Sequence, residues 1–497
     1  MNHRIIGKLL SLLLLILGLC QLPALACGWW YGEMEALCSF ALSMTLTLAL
    51  GGAGAWTFRG APQELYRREA MTVVGLGWFL ATFTGALPYV FFGLRHPDAE
   101  FSELINCLYE SASGFTTTGS TILTDIEKYP RAILLWRSLT HWLGGLGIVV
   151  LFVAVLPQVG AIAKQLFRSE VGGPVKDGLK PRIQDSAMIL LYIYLLFTVA
   201  ETILLITFGM DFFDAFCHTC ATLSTGGFST KNASVAYYLQ TPGYNGLGIE
   251  WTIVAFMYLC GVSFSLHFIL LRQRDWRKVF ADSEWQCFTG LFLVSVFVFT
   301  ILVYNSGLEG GLFASFRASL FQVCAISTCT GFVTADFDRW PDFCRYWLVL
   351  LMIMGGCAGS TAGGIKVVRA AILFKILADH LRHMVQPRIV RKVRFNGVTI
   401  NDDLRNNVLM FTLLFLLVVM GASLALALRG YDIATSTSAV LANISNVGPG
   451  LARVGAVQNY YFFDPFSKLL LTLVMISGRL ELYSVLVMLN PEFWRNR

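Results

Sequence analysis

The residues of this chain best suited to chemistry are four uncharged quartets, each closing on a glycine: Thr116-Thr117-Thr118-Gly119, Ser224-Thr225-Gly226-Gly227, Thr328-Cys329-Thr330-Gly331 and Ser445-Asn446-Val447-Gly448. They offer backbone carbonyls and no acid, base or charged side chain. A cation crossing a membrane must exchange its hydration water for fixed oxygen dipoles, and rings of backbone carbonyls supply these. Glycine tolerates positive φ and so lets a carbonyl turn inward. One such quartet would read as small residues letting membrane helices pack closely. Four, spaced 227−119=108, 331−227=104 and 448−331=117 residues apart, indicate a duplicated unit and read as a pore lining.

The elements that must carry these quartets are membrane helices. Of 497 residues 56% are hydrophobic and only 14% charged, against roughly 25% charged in soluble domains. Ten apolar runs are long enough to span: 5–26, 36–56, 72–94, 132–156, 187–208, 247–271, 288–304, 346–377 with a glycine-rich break, 408–428 and 466–489. Arg4 and Lys8 before an apolar run, with Ala24-Leu25-Ala26 after it, have the form of a signal peptide. The run's length favours an uncleaved first helix. Four shorter segments, 102–113, 212–223, 314–327 and 435–444, each lead into a quartet and are too short for a hydrocarbon core of roughly 30 Å; they predict re-entrant helices. The predicted fold is an all-α polytopic membrane protein: two extra N-terminal helices (1–60), then four helix–pore loop–helix repeats at 61–165, 166–280, 281–395 and 396–497 around one central path.

Loop charge sets the orientation. Arg59, Arg67 and Arg68, then Lys164, Arg168, Lys176, Lys180 and Arg182, then Arg272, Arg274, Arg277 and Lys278, then Lys366 to Arg394, fall between units. The positive-inside rule makes these loops cytoplasmic. Asp98, Glu100, Glu103, Asp125, Asp211, Asp336 and Asp464 neighbour the quartets, so the pore loops face outside, where acidic groups raise the local cation concentration.

Further candidates lie beside this plan. Five glycines in ten positions, Gly355, Gly356, Gly359, Gly363 and Gly364, interrupt the eighth run before Lys366, which predicts an irregular loop able to obstruct the path. It lacks the Lys-Ser/Thr of a phosphate loop. Arg479 lies inside the last apolar run, where an ionisable residue is expensive; it either faces the path and repels cations or pairs with Glu481 or loop carbonyls. Glu201, His267 and His141 could relay protons, with packing the favoured reading. Cys217-x-x-Cys220 has no second ligand pair, so core packing is favoured over a metal site. The basic run Lys375 to Arg394 fits either anionic lipid or a cytoplasmic partner.

With these motifs in view, the chain resembles the membrane subunit of Trk-type potassium uptake systems, in the Trk/Ktr/HKT superfamily. The match rests on the four quartets, on the run Gly355 to Lys366 and on Ser477-Gly478-Arg479-Leu480-Glu481, over about residues 1 to 490. The resemblance implies potassium as the transported ion, no bound cofactor, the inner membrane, and a homodimer in the lipid bilayer with a cytosolic nucleotide-binding regulatory subunit. It also implies that 355–364 is an intramembrane gate and that Arg479 faces the pore. Family members often carry Ser and Gly where this chain has Ala358 and Ala362, which bears on that loop's flexibility. The filter residues are then Thr117, Thr118 and Gly119; Thr225, Gly226 and Gly227; Cys329, Thr330 and Gly331; Asn446, Val447 and Gly448. One matching glycine per quartet, rather than the two of a Thr-Val-Gly-Tyr-Gly loop, predicts fewer carbonyl sites and some passage of rubidium and sodium. The rivals are a proton- or sodium-coupled carrier, disfavoured because the repeats run parallel rather than inverted, and a membrane enzyme, for which no constellation is present; no nucleic-acid partner is expected.

Overall fold

The computed structural model describes residues 1–61, 65–147, 183–386 and 393–494. The basic positions Lys164, Arg168, Lys176, Lys180, Arg182, Arg388, Arg391 and Lys392 lie outside them. Within the described residues the chain is helical apart from turns, loops and a small hairpin pairing Arg394–Phe395 with Val398–Thr399. The chain is thus an all-α polytopic membrane protein.

Among the described residues six helices are long and apolar enough to cross a membrane: His3–Trp30, Met34–Thr57, Arg68–Gly93, Met188–Thr207, Ser283–Ser306 and Asp402–Leu428. A seventh forms only as the pair Gly246–Gly261 and Phe264–Gln273, bent by 101°. By length and composition alone this is fewer than the ten apolar runs of the sequence. Within the described residues the runs at 132–156, 346–377 and 466–489 begin with the shorter helices Arg131–Leu146, Asp342–Met354 and Pro465–Arg479, the second ending at the glycine-rich break expected there. Each stops where the backbone turns to positive φ: 80° at Gly147, 64° at Gly355, and 53° and 56° at Glu481 and Leu482. Hydropathy does not register a change of backbone sign, so a broken apolar helix reads like a continuous one. The end of the first of these runs, 148–156, lies outside the described residues.

Before each broken helix sits a short one: Leu104–Phe115, Phe212–Leu223, Leu312–Ser327 and Ile433–Ile444. The third, at 16 residues, is longer than expected but still rises only about 24 Å. The last six residues of each are buried, so these helix ends are enclosed by protein rather than lipid, which permits non-helical backbone beyond them. A side-chain cap fixes the start of Ile433–Ile444 and of the spanning helices Ser283–Ser306 and Asp402–Leu428. Asp432 accepts from Thr435 N at 2.9 Å, Asp282 from Trp285 N at 2.8 Å, and Asn401 from Leu404 N at 3.0 Å, each satisfying a helix-end donor that would otherwise be unpaired.

The two N-terminal helices cover the first unit. In Arg68–Gly93, 67% of the apolar window is buried, against 33%, 39% and 28% in Met188–Thr207, Ser283–Ser306 and Asp402–Leu428. Small residues let the backbones approach. Gly51 of Met34–Thr57 packs on Leu14 and Leu15 of His3–Leu19, and Gly85 of the next helix packs on Phe115.

Candidate ion pathway

Each short helix ends the same way, and the ending generates the loop. The N–H two residues past the cap donates back to the third-last helical carbonyl: Thr118 to Ser113 at 2.9 Å, Gly226 to Ala221 at 2.8 Å, Thr330 to Ala325 at 2.7 Å and Val447 to Ala442 at 2.8 Å. The preceding N–H donates to the carbonyl one residue on, as Thr117 does to Gly114 at 3.0 Å. This is the Schellman arrangement, and it requires a left-handed residue between the cap and the second donor. That residue is Thr117, Thr225, Cys329 or Asn446, at φ 55°, 55°, 59° and 53°. None is glycine, so each carries about 1–2 kcal/mol of backbone strain. Two residues later the glycines Gly119, Gly227, Gly331 and Gly448 are again left-handed, at 81°, 78°, 75° and 91°, while the residue between is not. Alternating the sign of φ turns successive carbonyls toward one side of the chain.

The four loops close on one another. A Cβ on Gly119 would collide with the Gly226 carbonyl oxygen, one on Gly227 with that of Thr330, and one on Gly331 with that of Val447. On Gly448 it would stand 2.6 Å from the oxygen of Thr118. The contacts therefore run first to second, second to third, third to fourth and fourth to first. Asn446 Nδ2 adds a tie across the last junction, donating to Thr118 Oγ1 at 2.9 Å. All four glycines line one cavity of about 170 Å³.

Polar side chains unforeseen in the sequence hold the outer strands of these loops. Glu110 accepts from Thr121 Oγ1 at 2.8 Å and Ile122 N at 2.9 Å, and is itself paired with Arg137 at 2.7 Å, both side chains being fully buried. His218 meets Ser229 Oγ at 3.0 Å, and Gln322 bonds to Thr334. In each case the residue lies nine before its glycine (119−110, 227−218, 331−322). In the fourth loop Ser438, ten before Gly448, takes over and bonds both backbone groups of Leu451 at 3.1 Å. The recurrence of a polar residue at one helical position was the available signal.

Beneath the fourth loop a second cavity of about 140 Å³ is lined by Asn446, Thr361, Gly363, Lys366, Gly145 and Arg479, among others. The segment 355–364 is irregular, as expected, and is fastened at both sides. Cys357 N donates to Gly261 O at 2.9 Å, Ala358 N to Glu284 at 2.6 Å, and Phe264 N to Gly359 O at 3.0 Å. Gly363 packs on the Ser445 carbonyl, and Gly355 on that of Gly363. Lys366 Nζ donates to the Ala362 carbonyl. Arg479 donates to Thr361 O at 2.8 Å and to Gly144 O at 2.6 Å, so one guanidinium joins the glycine-rich segment to the first unit. Glu481 pairs with Arg369.

Of the other candidates, His267 Nε2 meets Leu259 O at 2.7 Å across the 101° bend. Glu201 is buried. Cys217 and Cys220 are buried free thiols, and among the described residues no group of three potential metal ligands forms. Outside the membrane segments, partial burial raises the Glu100 carboxyl, but the hydroxyls of Thr124 and Tyr129 donating to it outweigh this and hold it below the usual carboxylate range. Asp464 is likewise held at about 2: burial raises it, and donors from Ser467, Arg429 and Tyr431 outweigh the burial.

Comparison with known proteins agrees with this geometry. The chain is 35% identical over 499 residues to the Trk system potassium uptake protein TrkH of Escherichia coli K12, covering 100% of both. It is 32% identical to TrkG of the same organism, covering 99% of both. The crystal structure of the potassium transporter TrkH from Vibrio parahaemolyticus superposes with a TM-score of 0.87 at 30% identity, over 100% of both chains. Residues 37–495 match the TrkH family, described as cation transport protein; four glycine loops closed into a ring between broken helices are thus found in a chain that belongs to the TrkH family of cation transport proteins.

Proposed function

We propose that the protein takes up potassium across the inner membrane through the ring of Gly119, Gly227, Gly331 and Gly448. The observation that carries this is the closed cycle in which each glycine abuts the carbonyl preceding the next. Alternating φ aims the carbonyls of Thr118, Gly226, Thr330 and Val447 at the axis, and the short helices direct their C-terminal, negative dipole ends toward the same point. Dehydration of the cation is offset by these oxygens. The relatives' names as potassium uptake proteins support potassium as the ion.

Four repeats, at 61–165, 166–280, 281–395 and 396–497 after two leading helices, each supply one loop, which faces outside. Segment 355–364 gates the path, and Arg479, donating to Thr361 and Gly144, locks the segment closed while placing a positive charge in the cavity below the ring. The protein works as a homodimer with a cytosolic nucleotide-binding regulatory subunit.

The test is growth of a potassium-uptake-deficient host at limiting potassium. The intact chain, with a suitable regulatory subunit, restores growth and a Gly331→Ala variant does not. Failure of the intact, expressed chain to restore uptake would refute the proposal.

A further inference from the structure

The second loop differs from the others at one place. Where the first, third and fourth loops carry Thr118, Thr330 and Val447 before the central glycine, the second carries Gly226. The space a side chain would take there is filled from elsewhere. A Cβ on Gly226 would collide with the imidazole of His141 and would find no other group nearer. His141 is fully buried and stacks on Phe228, the residue after Gly227, with centroids 4.0 Å apart and planes 13° apart. Arg137, one turn earlier on the same helix, lies 4.0 Å from the same Phe228 ring. The first unit's helix Arg131–Leu146 thus presses two side chains against the second loop.

An equivalent contact exists in the fourth unit. Gly144 packs on the last helical carbonyl of the first short helix, Phe115, as Gly478 does on that of the fourth, Ile444. Three residues before these glycines stand His141 and Met475. Met475 also bridges two loops: its carbonyl accepts from Asn446 at 3.2 Å and its sulfur from Ser120 at 3.6 Å. The position is one from which a broken helix supports its own loop and the next.

We propose that His141 is a positioning residue of the second loop, its ring taking the place of the side chain that Gly226 lacks and so fixing the carbonyl of Gly226 within the ring. This rests on the reading of the four loops as the ion-selecting path. Without the ring, the side-chain space beside Gly226 loses the group that fills it, the backbone is then held by the bond from its N–H to Ala221 O at 2.8 Å and the contact of its carbonyl with Gly119, and the oxygen it contributes moves.

The test measures potassium over sodium uptake by purified, reconstituted protein. His141→Ala lowers the ratio about fivefold, within the coupling found between contacting residues. His141→Gln, which keeps most of the volume, stays within about twofold of the intact protein. Gly226→Thr alone loses uptake because its side chain meets the imidazole. The pair His141→Ala/Gly226→Thr regains uptake and brings the ratio back to within about twofold, since it supplies the threonine that the first and third loops carry. An unchanged ratio in His141→Ala, or a pair no better than Gly226→Thr alone, overturns the proposal. If His141→Ala does not fold, restoration of a folded, selective protein by the pair supports it, and failure of that restoration overturns it. A Gly331→Ala arm separates the two readings: if it too leaves uptake unchanged, the path assignment fails, whereas loss there with no effect at His141 refutes only the present inference.

Discussion

The upper and lower halves of the proposed path are built on opposite principles. Around the glycines, four segments with different side chains adopt one backbone: the same Schellman ending, the same alternation of φ and the same contact with the next loop. Below them, the helices that follow break in four unlike ways: at Gly147, at a 101° bend before Phe264, across the glycine-rich segment after Met354, and at Glu481 and Leu482. The difference has a physical reason. Surrounding an ion requires equal oxygens from every side, so the backbone there is repeated. Blocking a path, as proposed for 355–364, needs only one unit to project into it, and among the described residues the third unit carries the ten-residue interruption, with the fourth supplying Arg479.

Substitutions can break or sharpen this contrast. The largest effect belongs to the upper ring: Gly119→Ala, Gly227→Ala and Gly331→Ala each drive a methyl into a neighbouring backbone oxygen and reduce potassium uptake at least about 100-fold, as an ångström-scale displacement of a positioned group does. Gly448→Ala, whose contact is looser, loses less, and unequal losses among the first three would break the fourfold equivalence. Next comes the support of that ring. Arg137→Ala strands the buried Glu110 carboxylate and costs about 3–5 kcal/mol, read as a lowered unfolding midpoint in detergent. An unchanged midpoint would show that the pair does not hold the first loop.

The lower half responds in the other direction. Arg479→Ala removes donors from Thr361 and Gly144 carbonyls, charged hydrogen bonds worth about 1.5–3 kcal/mol each, and raises the resting leak about tenfold, one such bond's equivalent. Unchanged flux at normal expression would sink its gating role. The smallest effect is at Gly359→Ala. Its φ of 74° adds about 1–2 kcal/mol of strain, but the nearest obstacle is the Ser263 hydroxyl at 3.2 Å, so uptake persists while gating shifts by a few-fold. If Gly359→Ala matched Gly331→Ala in severity, the two halves would not differ as described.

The same contrast explains what could be read from sequence. The short helices were legible to within two residues because each apolar run gives way to hydroxyl residues and glycine at a capped end. Of the breaks below, the glycine-rich one was legible, but the ends of Arg131–Leu146 and Pro465–Arg479 were not, because hydropathy carries no mark of the change of backbone sign at Gly147 and Glu481. Glu110 and Arg137 escaped notice since 27 residues separate them and each alone reads as an isolated charge. Aligning the four glycines would have exposed Glu110, His218 and Gln322 at one position. Arg479 was legible as an ionisable group in an apolar run, but its acceptors lie 118 and 335 residues away, and only the folded chain reveals them.

The central claim is that four glycine loops surround a cation with backbone oxygens, and anomalous diffraction from crystals soaked in thallium as a potassium substitute tests it most directly. The account predicts a peak on the axis between the carbonyls of Thr118, Gly226, Thr330 and Val447, lost in Gly331→Ala crystals. Thallium bound elsewhere in the membrane region, with no peak among these four oxygens, would contradict it.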